Sequence, residues 1–288
     1  MEGWPVIALR AAAYGDGLLL AGLLLGGGLR LPGRLSPALI MALALAGALL
    51  AAGQFVATSL AMMGGDIAAL DRAMVTFMLL ETSMGISSLV RFLAFLLAAI
   101  AIWGAGGRRS AAVAALVALG SFAWSGHAGA GEGWAGYAHR ISDIAHLVAA
   151  ALWTGAMALL IHALGKWRPG AALGDIRIAL QRFASVGSAI VLVLIVSGVT
   201  NLLMIVGFSD LPALVWSGYG WTLAVKLALF MLMLGLAARH RWRLVPQLDS
   251  SNDASSVGAL RSGIGLEIVI AALVIVAVAV LGTLAPTP

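Results

Sequence analysis

Three of the chain's five histidines, His127, His139 and His146, lie close together, with Asp143 among them. His139, Asp143 and His146 follow i, i+4, i+7 spacing. On an α-helix, at roughly 100° per residue, they fall within about 60° of one another. The same stripe continues through Ala150 to Met157, which returns to the azimuth of His139. His127 stands in Ser125-Gly126-His127-Ala128, a short loop away, where it completes a site with the other two. Imidazole suits copper and zinc, and the soft thioether of methionine favours copper(I). Asp143 is either a direct ligand or the acceptor of a ligating histidine's second ring N–H. A lone histidine here would read as an interfacial polar residue bonded to backbone or lipid headgroups. Three histidines and an aspartate on converging helix ends favour a metal site.

Other residues extend or oppose that reading. Met62, Met63, Met74, Met78 and Met84 are five of the eleven methionines, all within one short stretch. They offer either a labile capture surface for copper(I) or flexible apolar filler. Asp16, Lys226 and Glu267 lie in apolar helices, where ionisable residues are functional candidates by default. For Lys226 the ordinary alternative is pairing with an acid on a neighbouring helix. Asn201 reads as an interhelical hydrogen-bonding residue. His162 lies about 140° from the His139 stripe and reads as interfacial. His240, within Arg239-His240-Arg241, reads as an inner-face anchor. Trp124, Trp134, Trp153, Trp216 and Trp221 look like aromatic-belt residues, with Trp153 near enough to the stripe to line a path. No phosphate-binding glycine loop, zincin-type motif or nucleophile–base pair is present, so ATP-driven transport by this chain alone is not expected.

The elements that must position these residues follow from composition. Of 288 residues, 62% are hydrophobic and 10% charged. A soluble domain carries roughly a quarter charged residues, and disorder needs low hydrophobicity. Each membrane helix takes about 20 apolar residues. The expected fold is an all-α polytopic membrane bundle of about eight helices near 7–29, 36–60, 87–105, 110–127, 136–163, 180–206, 216–238 and 262–284, forming one membrane domain over 1–288. The segment 66–85, with Asp66, Asp71, Arg72 and Glu81, is expected as an extra interfacial or re-entrant helix, since four charges sit at high cost in hydrocarbon. The first apolar run does not read as a signal peptide: Glu2 accompanies Arg10 before it, and no tidy cleavage site follows.

Charge sets the expected orientation. Of 17 basic residues, twelve fall at one side: Arg30, Arg34, Arg108, Arg109, Lys166, Arg168, Arg177, Arg182, Arg239, Arg241, Arg243 and Arg261. The positive-inside rule puts that side in the cytoplasm and both termini outside, with 244–261 a polar cytoplasmic loop. The net charge of +5 needs no nucleic-acid partner to explain it. The absence of cysteine excludes disulfides and thiolate metal sites.

The sequence resembles the CopD (PcoD) family of copper-resistance membrane proteins. The resemblance is carried by Ser125-Gly126-His127-Ala128, by His139 through Asp143 to His146-Leu147-Val148-Ala149-Ala150-Ala151-Leu152-Trp153-Thr154-Gly155, by Arg182-Phe183-Ala184 with Ser197-Gly198, and by Val225-Lys226-Leu227-Ala228-Leu229-Phe230. It covers most of the chain from the third helix onward and is weak in the first two. It implies an eight-helix inner-membrane protein that moves copper into the cytoplasm, often beside a periplasmic copper-binding partner, CopC. It places copper, as Cu(I) or Cu(II), near His127, His139, Asp143 and His146. Two departures stand out. His240-Arg241 occupies a position where an asparagine–arginine pair is expected, and no CopC-like domain is fused, so a periplasmic CopC-like donor would be a separate chain.

The expected function is copper transport rather than enzymatic catalysis. Copper is captured outside by the His/Asp cluster, with the methionines of 62–84 assisting, and passes down the stripe by way of Trp153 and Met157. No motor is visible, and a membrane potential worth about 2.3 kcal/mol per charge per 100 mV suffices to bias a monovalent ion inward. The alternatives are a haem protein passing electrons, which wants histidines at both membrane depths, and a copper sensor or scaffold that does not transport.

Overall fold

The structure is a computed structural model describing residues 3–26, 35–104, 106–125, 131, 133–168, 173–246 and 254–286. Among these residues every regular element is helical. Nine α-helices follow in chain order: α1 Trp4–Leu25, α2 Pro37–Met62, α3 Arg72–Glu81, α4 Ser83–Trp103, α5 Gly107–Gly120, α6 Gly133–Lys166, α7 Gly174–Val206, α8 Gly218–Arg239 and α9 Ala254–Leu281. Local chemistry sets several starts. The Ser36 hydroxyl accepts from Leu39 N–H at 3.2 Å with Pro37 at the first helical position, and the Ser217 hydroxyl accepts from Gly220 N–H at 2.9 Å.

Seven helices among the described residues are long and apolar enough to cross a membrane: α1, α2, α4, α6, α7, α8 and α9. The fold is therefore an all-α polytopic membrane bundle. Its outward faces agree, since Leu49, Leu97, Ile100, Leu192 and Met231 are all exposed, as lipid-facing residues must be. The expected fourth span, near 110–127, is divided into two pieces. It consists of α5, with 14 residues, and a 3₁₀ turn over Ser121–Trp124. Together they reach about 29 Å, near the hydrocarbon thickness.

The charged stretch 66–85 forms a 3₁₀ turn, Ile67–Ala69, and the separate helix α3. Asp71 caps α3 by accepting from Met74 N–H at 2.8 Å. At ten residues α3 is about 15 Å long, too short to span a bilayer. It packs against α4. Thr82 makes the corner, accepting from Gly85 N–H at 3.0 Å while donating to the Met78 carbonyl at 2.6 Å. The polar stretch 244–261 is less of a loop than its composition suggested, because α9 already begins at Ala254.

The core has two parts that share α6. Leu147, Ala151 and Leu159 pack with α1, α2, α4 and α5, whereas Trp153, Met157, Leu160 and Leu164 pack with α7, α8 and α9. The α1–α6 crossing is the tightest. A Cβ on Gly22 would overlap the Ala151 carbonyl, and one on Gly155 would overlap the Gly22 backbone. Apolar tails gain little by leaving lipid for protein, so close backbone approach through small residues is what joins such helices.

Candidate functional site

The 34 residues of α6 make it about 50 Å long, enough to carry the whole His–Asp–His–Met stripe on one continuous rod. His139 and Met157 are separated along it by about 27 Å, close to the full hydrocarbon thickness. His139 is buried at 6% exposure, and Asp143 and His146 are half-buried.

The stripe faces α7. Asn201 donates its Nδ2–H to Asp143 Oδ1 at 3.2 Å, in line with the interhelical role expected for it. His146 Nδ1 lies 2.9 Å from the Ser197 hydroxyl, which itself donates to the Val193 carbonyl. Since that hydroxyl proton is engaged along α7, the Ser197 oxygen accepts from Nδ1–H. This leaves Nε2 of His146 as the lone-pair nitrogen available to a metal. Ser142 donates to the Ser197 carbonyl at 3.3 Å and ties the same two helices. The amide oxygen Oδ1 of Asn201 is buried and has no hydrogen-bond partner among the described residues.

Lys226 of α8 lies within electrostatic reach of both Asp143 and His146. Tyr14 of α1 also lies within electrostatic reach of Asp143. Among the described residues, no three histidine, aspartate or glutamate side chains gather tightly enough to hold a metal ion by themselves. His127, the predicted fourth member, lies outside the described residues.

The other candidates separate. Met62 is exposed, Met63, Met74 and Met84 are half-buried, and Met78 is buried at 4%. Met78 therefore packs under α3 rather than facing outward. Asp16 Oδ2 is buried without a hydrogen-bond partner among the described residues, and lies where a Cβ on Gly47 would sit. Glu267 pairs with His240, Nδ1 to Oε1 at 3.1 Å, and both are buried. His240 is thus an interior residue and not the inner-face anchor its arginine neighbours suggested. It opens a π-helical turn, His240–Leu244, that continues α8. Trp153 is buried too, edge-on to Phe183 with centroids 6.2 Å apart, so it is not an aromatic-belt residue.

A further polar residue, Arg91 of α4, is buried at 1% exposure. Its guanidinium donates to Ser121 Oγ at 3.1 Å, Gln54 Oε1 at 3.5 Å and Ser125 Oγ at 2.6 Å. It also lies 3.6 Å over the Phe122 ring, whose other contact is Tyr14, stacked at 4.3 Å. This network ends at Ser125, beside the segment that carries His127. The one signal available beforehand was an arginine flanked by apolar residues in Leu89-Val90-Arg91-Phe92-Leu93.

Comparison with known proteins covers nearly the whole chain. The family model described as Copper resistance protein D matches residues 177–281, and that of the Copper resistance protein D-like N-terminal domain matches residues 1–137. Copper resistance protein D of Pseudomonas syringae pv. tomato is 35% identical over 99% of this chain and 98% of its own length. Inner membrane protein YebZ of Escherichia coli strain K12 is 32% identical over 56% of this chain and 54% of its own. No solved structure matches.

Proposed function

The chain belongs to the copper resistance protein D family, and from that premise we propose that it captures copper ions at the outer end of α6 and moves them across the membrane towards the cytoplasm. It is a multi-pass inner-membrane protein of a copper-resistance family. Copper is the cargo. In this reading His139, Asp143 and His146 receive the ion, His127 completes the shell, and the stripe leads inward past Trp153 to Met157. The exposed Met62 and the half-buried Met63, Met74 and Met84 are the outer surface that feeds it, from free ions or a separate CopC-like donor. Charge bias puts both termini outside. The whole chain acts as one membrane unit, since α6 contributes to both halves of the core. The protein carries no catalytic role in this reading.

One observation supports the site most directly. Two consecutive polar residues of the α6 stripe are each held by a polar residue of α7, His146 by Ser197 and Asp143 by Asn201. Polar partners of this kind fix the tautomer and angle of metal ligands. The orphaned Oδ1 of Asn201 beside them is an acceptor awaiting a cation or a water.

Purified protein, analysed for bound metal together with its visible spectrum, tests the proposal. Copper bound without a haem Soret band is expected, with loss of copper in His139→Ala and His146→Ala. Unchanged copper in both variants rejects the site. A Soret band without copper makes the same histidines haem ligands. Copper accumulation in cells with and without the protein separates transport from sensing.

A further inference from the structure

The stripe on α6 ends in a cavity. It has a volume of about 310 Å³ and lies between α6, α7, α8 and α9. Trp153 and Met157 line it from α6, His240 from the π-helical turn, and Glu267 from α9. Met157 stands about 16 Å further along α6 than His146. The cavity is therefore at the end of the path opposite His139.

Its polar groups are not explained by folding alone. His240 and Glu267 are exposed by only 7% and 4%, in a wall that is otherwise apolar apart from Ser188 and the exposed Arg241, which donates to it at 2.8 Å. Nδ1 of His240 approaches Glu267 Oε1 at 3.1 Å, yet that oxygen makes no hydrogen bond of good geometry. His240 Nε2 and the Trp153 indole N–H are also buried without a hydrogen-bond partner among the described residues. Burying such groups unsatisfied is costly, so they are kept where a ligand or water meets them. Gly263 holds the imidazole in place. A Cβ there would overlap Nε2, so glycine lets the ring pack end-on against α9 with Nδ1 turned to the carboxylate. The π-turn adds a residue to the helical repeat at this point, and such bulges recur at functional sites.

We infer that this cavity is a second copper site, in which Met157, His240 and Glu267 take the ion from the α6 stripe before its release on the inner side. The inference rests on the transport reading above. A soft thioether and a borderline imidazole bind copper(I), and the hard carboxylate adds charge more than grip, so the set holds the ion less tightly than thiolates would. That suits a relay. The carboxylate also balances the ion's charge in a low-dielectric wall, where an unpaired cation would not stay.

The test uses the full-length protein loaded with copper(I) alone. Glu267→Gln and Met157→Leu keep side-chain volume, so both are expected to fold, as circular dichroism and gel filtration check. Each variant should bind about one copper per chain fewer than the wild type, and Met157→Leu should weaken the sulfur contribution to the copper X-ray absorption spectrum. His146→Ala should retain the inner copper and that sulfur contribution. Folded Glu267→Gln and Met157→Leu proteins with wild-type copper content overturn the inference. Loss of copper in the inner variants, with His139→Ala and His146→Ala unaffected, upholds the cavity and rejects the outer capture site instead.

Discussion

His146 of α6 and Ser197 of α7 meet at 2.9 Å between Nδ1 and Oγ, and the serine hydroxyl is itself committed to the Val193 carbonyl. The imidazole is thereby pinned from α7 in one tautomer, with Nε2 free of the α7 contact. Removing the hydroxyl should leave the ligand present but unoriented. Ser197→Ala is expected to weaken copper binding by about 10- to 100-fold, the usual cost of losing the hydrogen-bond partner of a ligating histidine. Competition with a copper(I) chelator measures it. An affinity equal to wild type would show that Ser197 merely caps its own helix.

Lys226 places a cation opposite the very groups proposed to receive one. It is within electrostatic reach of Asp143 and His146. Replacing it with methionine keeps the length and removes the charge. Copper should then bind tighter by about tenfold, equivalent to roughly 1.4 kcal/mol, and leave more slowly. Weaker binding in Lys226→Met would mean the lysine positions Asp143 rather than competing with the ion.

Arg91 joins α4 to α2 and to the turn after α5 through Gln54, Ser121 and Ser125. Lysine cannot reproduce this fork of donors. Arg91→Lys should lower stability by about 1.5–3 kcal/mol for each charged hydrogen bond lost. Thermal unfolding in detergent reads this directly, and an unchanged midpoint would show the network to be incidental. Since Ser125 adjoins the His127 segment, copper affinity should fall in the same variant.

Gly22 and Gly155 bring α1 and α6 into backbone contact. Gly155→Leu inserts a branched side chain where no space exists. A loss of at least about 1–3 kcal/mol is expected, and more if the helices must separate. Gly165→Leu near the end of α6 serves as the control. A Cβ at Gly165 comes only within 3.9 Å of another atom, the Arg261 guanidinium. Equal unfolding temperatures for the two variants would contradict a close-packed crossing.

Much of this was legible in the sequence because it depends on local pattern. The all-α membrane class followed from apolar runs long enough to satisfy their own backbone in lipid. The His139–Asp143–His146–Met157 stripe followed from helical periodicity, and the stretch 66–85 stood out because its four charges sit at high cost in hydrocarbon. Asn201 was read as an interhelical hydrogen-bonding residue from its type alone. The partners were a different matter. That Asn201 meets Asp143, Ser197 meets His146 and His240 meets Glu267 depends on how α6, α7, α8 and α9 cross. Those crossings bring small residues against these side chains, Gly198 beside His146 and Gly263 beside His240, and the pairings join residues 58, 51 and 27 positions apart in the chain. His240 was misplaced for the same reason. One-dimensional pattern assigns a charged residue near a helix end to the surface, whereas tertiary structure decides whether enough donors and acceptors surround it to hold it inside.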